Sequence, residues 1–383
     1  MHRSGLPLAA LLGVTSLLLA GCGAELTADS DQAAPPPVSD TPPPPPEQTD
    51  VYAHTRAGML SPAMEGVRNL VYVPNSQDDT VSVIDPNTFE VIDTFPGGDE
   101  PQHVVPSYDL KTLYVTADMV PAGTLTPIDP KTGKPGEPIQ VQDPYNLYFT
   151  PDGSSAIVVA EAYKRLDFYD PRTWEQQQSL SIPECAGINH MDFSTDGKIA
   201  LVTCEFANRM IVLDVEARKH VRTFDLHQVP NGMPQDSRLA PDGETFYVAD
   251  MHANGIYLFD GQATHQKGFV PTGKGAHGIY FSRDSQRAFI ANRGEGSVTV
   301  LDTATHQPID KWHIPGGGSP DMGAVSADGT QLWLAGRYDS EVYVFDTRTG
   351  ELLARIPVGN GPHGLTYMPQ PGRYSLGHTS NIR

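Results

Sequence analysis

The sequence lacks the motifs of several common active sites and is poor in positive charge. It contains no CxxCH for c-type haem attachment, no HExxH, no GxSxG and no paired CxxC. Its 26 Lys and Arg residues face 46 Asp and Glu residues, which gives a formal net charge of −20. Because nucleic-acid binding depends on basic residues that neutralise phosphates, we expect no nucleic acid among the partners.

Long apolar runs are also scarce, and the one of note stands at the N-terminus. "MHRSG" precedes the apolar run "LPLAALLGVTSLLLAG", and Cys22 follows it. A charged start, an apolar segment and a small-residue cleavage site are typical of an export signal, and "LAGC" resembles the bacterial lipobox. We predict a signal peptide over residues 1–21 and lipidation of Cys22, which would anchor the protein in a membrane without a spanning helix. The alternative is an ordinary secretory signal with a cysteine there by chance.

Residues 22–50 have too few apolar side chains to build a core. They contain "AAPPPVSDTPPPPPEQTD", a composition that favours polyproline II or disorder. At ~3.1 Å per residue, residues 23–50 would extend ~85 Å. We interpret the segment as a spacer between the lipidated cysteine and a folded body at residues 51–383 in the cell envelope.

The folded body consists of repeats. Short apolar runs end in an aspartate seven times, with successive steps of 44, 41, 44, 46, 42 and 44 residues, at Asp85, Asp129, Asp170, Asp214, Asp260, Asp302 and Asp346. A second apolar run precedes each of these, and turn signals such as "PDG" separate the runs. Short alternating strands without helical periodicity predict an all-β fold, and four strands in ~43 residues match one propeller blade. The sequence therefore predicts a seven-bladed β-propeller.

The order of the repeats predicts how the ring closes. The first repeat starts at its second strand, Leu70–Val73, and an unpaired inner-strand sequence remains at His363–Met368. Pairing the two would complete the first blade from one C-terminal and three N-terminal strands, and would leave no open edge there. The repeats span about 69–368, and a short C-terminal tail follows. We expect His378 in this tail, like His54, to be a surface residue.

Two of the repeats carry a family resemblance. "LVYVPNSQDDTVSVIDPNT" and "RAFIANRGEGSVTVLDTAT" resemble the YVTN-type repeats of exported bacterial and archaeal seven-bladed propellers, although "VVAEAYKRLDFYD" and "VTCEFANRMIVLD" depart from the pattern. The resemblance covers about 69–368 and implies the same fold and an envelope location. It implies no reaction, because this scaffold serves unlike functions. Similar propellers include the copper-carrying domain of nitrous oxide reductase, haem d1-type domains and sugar lactonases.

Histidines recur near the starts of the inner strands. They are separated by 87, 87 and 86 residues, about two blades each, at His103, His190, His277 and His363. In a propeller these strand starts surround one mouth of the central channel, so we expect the four histidines to face it. The equivalent positions in the other blades are Asn146, Asp236 and Asp321.

The spacing of these histidines does not imply one coplanar ring. His277 lies seven positions before the turn residue Asp284, whereas His190 lies six before Asp196 (284 − 277 and 196 − 190). Strand alternation would turn the two classes to opposite sides unless a bulge intervenes.

Charged residues begin the loops between second and third strands, which should surround the same mouth. These residues, together with Asp236 and Asp321 of the inner strands, are our candidates for ligand binding. The full set is Asp118, Glu161, Glu205, Asp236, Asp250, Asp321, Arg293 and Arg337. Histidine, carboxylate and thioether ligands suit a copper-like ion, and the metal candidates are His103, His190, His277, His363 and Met322. The alternative is structural, with histidines capping turn carbonyls and methionine filling gaps.

Two cysteines remain once Cys22 is assigned to lipid. In an oxidising compartment, Cys185 and Cys204 are expected to form a disulfide. Both lie in the fourth blade, so a metal site that they would share with His190 is the alternative.

These features leave three functions open. The leading one is a monomeric, membrane-anchored, non-catalytic propeller that binds a small ligand, a metal or an envelope protein at its channel mouth, as a sensor, chaperone or assembly factor. The second is a lactonase-like hydrolase in which His190 activates water, Glu205 orients it, and Arg293 or Arg337 stabilises the oxyanion. The third is a copper or haem-type redox site.

Overall fold

The computed structural model describes residues 50–383, which form a seven-bladed β-propeller of antiparallel sheets. The predicted signal peptide, Cys22 and the linker up to residue 49 lie outside the described residues. Two short 3-10 helices occur, at Pro62–Met64 and Glu205–Ala207. Within residues 50–383, the structure has no helix whose length and apolar character would allow it to cross a membrane.

The strands follow the predicted repeats. Blades 1 to 3 contain β1 (Leu70–Asn75), β2 (Thr80–Asp85), β3 (Glu90–Pro96); β4 (Pro101–Pro106), β5 (Leu113–Ala117), β6 (Gly123–Asp129), β7 (Lys134–Pro135), β8 (Ile139–Val141); and β9 (Pro144–Phe149), β10 (Ala156–Ala160), β11 (Arg165–Tyr169), β12 (Gln176–Ser181). Blades 4 and 5 contain β13 (Ile188–Phe193), β14 (Ile199–Cys204), β15 (Arg209–Asp214), β16 (Lys219–Asp225); and β17 (Pro234–Leu239), β18 (Thr245–Asp250), β19 (Gly255–Asp260), β20 (Gln266–Pro271). Blades 6 and 7 contain β21 (Ala276–Phe281), β22 (Arg287–Asn292), β23 (Ser297–Asp302), β24 (Gln307–His313); and β25 (Pro320–Val325), β26 (Gln331–Gly336), β27 (Glu341–Asp346), β28 (Leu352–Pro357). The last strand is β29 (Thr366–Met368).

The last strand closes the ring as predicted. β29 pairs with β1, so that the first blade has the order β29-β1-β2-β3. The strand is shorter than the predicted His363–Met368 because the chain just before it bonds to two different blades. The His363 amide donates to the Pro74 carbonyl (3.0 Å) in blade 1, and the Gly364 amide donates to the Gln102 carbonyl (2.8 Å) in blade 2.

The hydrophobic core lies between the blades. Residues 50–383 contain seven clusters of buried apolar side chains, and each cluster joins two neighbouring blades. The cluster that closes the ring packs Trp333 of blade 7 against Val71 and Val73 of blade 1. Because each sheet is covered on both faces, every residue of β1, β5 and β10 is buried. The outermost strands, such as β24, are mostly exposed.

Both ends of the described chain close one end of the channel. We call this end, where the inner strands finish, the lower mouth, and the end where they start the upper mouth. The Tyr52 hydroxyl donates to the Leu239 carbonyl (3.0 Å), and the Phe149 amide donates to the Leu376 carbonyl (3.0 Å). His378 is only 1% exposed, so its predicted surface position is wrong. The tail turns it inward because hydrogen bonds hold residues 375–378 against the inner strands.

Candidate functional site

β-Bulges aim the inner-strand histidines into the channel. In β13, Asn189 and His190 together oppose one residue of β14, and in β21, His277 and Gly278 together oppose one residue of β22. His190 is the second residue of its bulge, whereas His277 is the first. A bulge interrupts the side-chain alternation of a strand. Because the two histidines occupy different positions within their bulges, both side chains face the channel although their spacings to the turn aspartate are six and seven residues.

The glycines of the repeated "HG" motif allow close approach between neighbouring blades. A Cβ on Gly364 would collide with the His103 ring, and a Cβ on Gly278 would lie 2.7 Å from the Asp321 carbonyl oxygen. Glycine fits both positions because it has no side chain. The motif thus reflects the packing of inner strands around the channel, and the histidine beside each glycine is a separate feature.

The channel histidines form two adjacent clusters. The tail cluster contains His103, His190 and His378, and the mouth cluster contains His277, Asp321 and His363. In each cluster, one potential metal-ligand atom per residue lies within 4.8 Å of the others. The His103 and His363 ring centroids are 4.7 Å apart, so the clusters are in contact. The four predicted histidines thus divide between two groups. His378 was missed because it stands outside the repeats.

In the tail cluster each ring is held through one nitrogen. His103 Nδ1 donates to the Tyr145 carbonyl (2.8 Å), and the Asn146 Nδ2 lies 3.1 Å from Nδ1 of both His190 and His378. The Nε2 atoms of the three histidines are buried and have no hydrogen-bond partner among the described residues. Burial lowers the pKa of His103 to about 3, so this imidazole is neutral at physiological pH.

The mouth cluster is built around a buried carboxylate. Asp321 Oδ1 lies 2.9 Å from His277 Nδ1 and 3.4 Å from Arg293 Nε, and Asp321 Oδ2 lies 3.7 Å from His363 Nε2. Burial alone would raise the pKa of Asp321, but Arg293 and the imidazoles hold it well below its usual value. Burial lowers the pKa of His277 to about 4 and that of His363 well below its usual value. At neutral pH the cluster is therefore an anionic carboxylate between two neutral imidazoles.

The upper mouth is electrically polarised. On the side of blades 2 to 4, burial raises the pKa of Asp118 to about 7 and raises that of Glu205. Burial, together with the charges of Glu205 and Asp118, raises the pKa of Glu161 well above its usual value. On the side of blades 6 and 7 lie Arg293 and Arg337. Carboxyl groups that resist ionisation thus lie on one side of the mouth, and two guanidinium groups lie on the other.

An apolar rim lines part of the same mouth. Four of the loops between second and third strands carry large apolar side chains that are 38% to 69% exposed: Met119, Val120, Tyr163, Phe206 and Tyr338. Arg293 Nη1 donates to the Tyr338 hydroxyl (3.1 Å). Exposed apolar groups around a charged recess are typical of a binding surface.

The remaining candidates for ligand binding, Asp236 and Asp250, and the metal candidate Met322 have structural partners. The Asp250 carboxylate accepts from the Met233 amide (3.0 Å), and the Asp236 carboxylate accepts from the Ile279 amide (3.0 Å). Met322 is buried, and its sulfur accepts from the Tyr280 hydroxyl at 3.5 Å.

The four candidate catalytic residues have separate partners. Glu205 accepts from Asn189, and Arg337 Nη1 donates to the Gly361 carbonyl (3.0 Å). His190 bonds to Asn146, and Arg293 pairs with Asp321, as described above. Within residues 50–383, no hydrogen bond or ion pair joins any of these four residues directly to another.

A disulfide joins Cys185 to Cys204, with their Cα atoms 4.8 Å apart. It connects the loop before β13 to the end of β14, directly beside the bulge that carries His190.

Comparison with known proteins places the chain among propellers. It is 34% identical over 133 residues to protein NirF of Pseudomonas aeruginosa, a match that covers 34% of this chain and 33% of NirF. The chain thus spans about a third of that relative's length. Two solved structures share the fold at 18% identity. A functionally unknown protein from Desulfotomaculum acetoxidans has a TM-score of 0.63 (78% of this chain, 99% of that one). The dihydro-heme d1 dehydrogenase NirN in complex with DHE has a TM-score of 0.57 (85% and 82%).

A family model covers more of the chain than the NirF match does. The model of the YNCE-like β-propeller matches residues 60–178 and 233–371, which include β1 to β11 and β17 to β29. The match agrees with the seven blades and with the YVTN-type repeats seen in the sequence. The chain therefore belongs to the YNCE-like β-propeller family.

Proposed function

We propose that this protein is an exported, lipid-anchored propeller that binds a small anionic ligand of the haem-type tetrapyrrole class at its upper mouth and catalyses no reaction. The observation that carries the proposal is the polarised mouth with its apolar rim. A tetrapyrrole has a flat apolar ring and carboxylate substituents, and the mouth offers a partner for each.

The charges of the mouth favour a ligand that carries carboxylates on one side. Arg293 and Arg337 lie on the side of blades 6 and 7, and an arginine fork matches a carboxylate in geometry. On the opposite side, the raised pKa values of Asp118, Glu161 and Glu205 reduce the negative charge that would repel such a ligand. The two arginines would therefore set the orientation of the ligand.

The rim favours a ligand with a broad apolar body. Tyr338 and Phe206 are 69% and 60% exposed, and they lie in the loops of blades 7 and 4. Aromatic side chains at such positions stack on flat rings and gain from covering apolar surface. A bare inorganic anion would use the arginines and leave this rim exposed.

One comparison supports the same ligand class. NirN, named a dihydro-heme d1 dehydrogenase, has the same fold and was solved in complex with DHE.

The proposal places the protein in the cell envelope as a monomer. The lipobox-like "LAGC" supports an anchor at Cys22, and the proline-rich segment before residue 51 supports a spacer that holds the propeller away from the membrane. An upper mouth that faces the aqueous compartment would then collect or carry the ligand.

A titration of the full chain in detergent with haemin tests the proposal. Binding should shift the Soret band of haemin, and the double change Arg293→Gln and Arg337→Gln should weaken binding by at least about tenfold, because two carboxylate partners are lost. Phe206→Ser should weaken it by a smaller factor. Arg348→Gln is the matched control, because Arg348 lies in the turn between β27 and β28 at the opposite end of the blade.

The outcomes separate binding from folding. Phe206→Ser and Arg348→Gln should keep the wild-type melting temperature to within a few degrees, whereas the double arginine variant, which leaves the buried Asp321 without Arg293, should melt at a lower temperature but remain folded at the temperature of the titration. Equal haemin affinity in wild type and in the double arginine variant would contradict the proposal, as would a wild-type protein without a Soret shift.

A further inference from the structure

Two successive hydrogen bonds, from Gln102 to Asp118 and from His363 to Gln102, fix the tautomer of His363. Gln102 Nε2 donates to Asp118 Oδ1 (3.1 Å), so the Gln102 side-chain oxygen is the atom that faces His363. His363 Nδ1 lies 3.0 Å from that oxygen. An amide oxygen can only accept, so Nδ1 carries the hydrogen, and in the neutral ring Nε2 carries a lone pair. Gln102 thus acts as a positioning residue for the His363 lone pair.

That lone pair faces an anion. His363 Nε2 is 3.7 Å from Asp321 Oδ2, and both residues are almost completely buried, with 2% and 0% of their surfaces exposed. Two acceptors that face each other in a medium of low dielectric repel unless a cation lies between them. The geometry therefore leaves a position for a positive charge at this point of the channel.

The other atoms of Asp321 point to the same position. Neither Asp321 oxygen has a hydrogen bond of good geometry among residues 50–383, and neither has His277 Nδ1, which lies 2.9 Å from Oδ1. The 2.9 Å separation ends on Oδ1 and the 3.7 Å separation ends on Oδ2, so an ion held at ~2.0–2.2 Å by both imidazoles would take both oxygens of the Asp321 carboxylate as ligands. The three side chains come from blades 6, 7 and 1, so the closed ring itself holds them in place.

We propose that His277, Asp321 and His363 bind one divalent first-row transition-metal ion. Two imidazoles and one carboxylate are the ligand set of facial metal sites with open positions. Arg293, with Nε 3.4 Å from Asp321 Oδ1, lies next to those positions and favours an anionic further ligand there. Metal binding at this site does not depend on a tetrapyrrole, so the cobalt experiment below and the haemin titration above test two independent proposals.

The tail cluster is the weaker metal site. Asn146 Oδ1 accepts from the Leu147 amide (2.8 Å), so Asn146 Nδ2 is the atom that faces His190 and His378. An amide nitrogen donates, so the two Nδ1 atoms act as acceptors and their Nε2 atoms carry the hydrogens. Metal binding there would require the Asn146 side-chain amide to flip, so that its oxygen faces His190 and His378. In the mouth cluster, His363 is already in the metal-binding tautomer.

Cobalt(II) titration of the full chain, purified in detergent and freed of metal by a chelator, tests the proposal. One ion should bind per chain and give ligand-field absorption bands of a nitrogen- and oxygen-coordinated site. Asp321→Asn and His363→Ala should each weaken binding at least about 100-fold, and Gln102→Leu, which keeps all three ligands, should weaken it about 10-fold to 100-fold. Gln102→Glu should restore binding, because a carboxylate also accepts the Nδ1 hydrogen.

Two controls make the result decisive. His265→Ala removes a histidine that pairs with Asp260 on the surface (3.3 Å) and should leave the titration unchanged, and His378→Ala should do the same. Circular dichroism and the melting temperature of each metal-free variant report whether it folds. Absence of stoichiometric cobalt binding in folded wild type would overturn the proposal. Loss of binding in His378→Ala with retention in Asp321→Asn would overturn it in favour of the tail cluster.

Discussion

The Asn146 side-chain nitrogen lies 3.1 Å from Nδ1 of His378, although 232 positions separate the two residues. Asn146 belongs to the inner strand of blade 3, and His378 belongs to the tail that follows the last strand. The His378 amide also donates to the Leu147 carbonyl (2.9 Å), so backbone and side chain both bind the channel wall. The tail is therefore part of the folded ring.

Removal of residues 374–383 should destabilise the propeller although all seven blades keep their strands. Tyr374, Leu376 and Ile382 are almost fully buried, and each contributes about 1.5–3 kcal/mol on burial. The deletion also takes Arg383 away from the buried Asp192 (2.8 Å). We expect a loss of at least about 5 kcal/mol in the free energy of unfolding, measured by urea titration with circular dichroism.

Two further deletions serve as comparisons, one that should be more destabilising and one that should have no effect. Removal of residues 360–383 also takes away β29 and should destabilise more, because blade 1 then loses its inner strand. Removal of residues 27–49 should leave the unfolding midpoint unchanged, because this deletion keeps Asp50 and its bonds to Arg56 and Ser285. A wild-type midpoint after loss of 374–383 would contradict the structural role of the tail.

The Cys185–Cys204 disulfide should be present in the exported protein and should stabilise blade 4. Thiol labelling followed by mass spectrometry should modify neither cysteine until a reductant is added. The bond closes a loop with a sequence separation of 19, which corresponds to about 3 kcal/mol. The double change to serine should lower the free energy of unfolding by about that amount. Free labelling of both thiols without reductant would revive a cysteine–histidine metal site.

The fold could be predicted from the sequence because a propeller repeats its signals. Each blade ends a strand at an aspartate such as Asp85 or Asp346, and each places apolar residues on both faces of a sheet. The phase of the repeats also predicted closure, since only one inner strand was left for blade 1. One detail was missed: the chain at His363 and Gly364 bonds to blades 1 and 2, which shortens the closing strand.

The candidate site could be predicted only in part. Four histidines were placed at the channel because they occupy equivalent repeat positions, but their division into two clusters depends on bulges that alternation alone does not show. His378 carries no repeat signal, and its burial depends on long-range bonds to Asn146 and Leu147. Gln102 looked unremarkable because its role comes from two neighbours, Asp118 and His363, that are distant in sequence.

Replacement of Cys22 by serine should release the protein from membranes. A serine cannot form the thioether that lipid attachment requires, and two or more acyl chains are needed for stable anchoring. In cell fractionation, the variant should appear in the soluble envelope fraction, and its melting temperature should be unchanged. A Cys22→Ser protein that stays in the membrane fraction would contradict the anchor.

The last prediction concerns the acidic side of the upper mouth, where burial raises the pKa of Asp118 from 3.8 to about 7. In the unfolded chain this carboxyl ionises near its ordinary value, whereas in the folded protein it holds its proton until about pH 7. Asp118 therefore costs stability progressively as the pH rises from about 4 to 7, and the cost is complete above pH 7. Asp118→Asn keeps the acceptor for Gln102 and removes the cost. We expect the variant to be more stable than wild type at pH 8 by about 1–2 kcal/mol, a value reduced for solvent at the mouth, and equally stable at pH 3.5.

Asp328→Asn is a control of opposite sign, because hydrogen bonds from Ser326 and Thr330 outweigh burial and lower the pKa of Asp328. It should destabilise the protein at pH 8 and lose this effect as the pH falls below about 4. Parallel urea titrations at the two pH values measure both variants, and a stability change in Asp118→Asn that is the same at pH 3.5 and pH 8 would contradict the raised pKa.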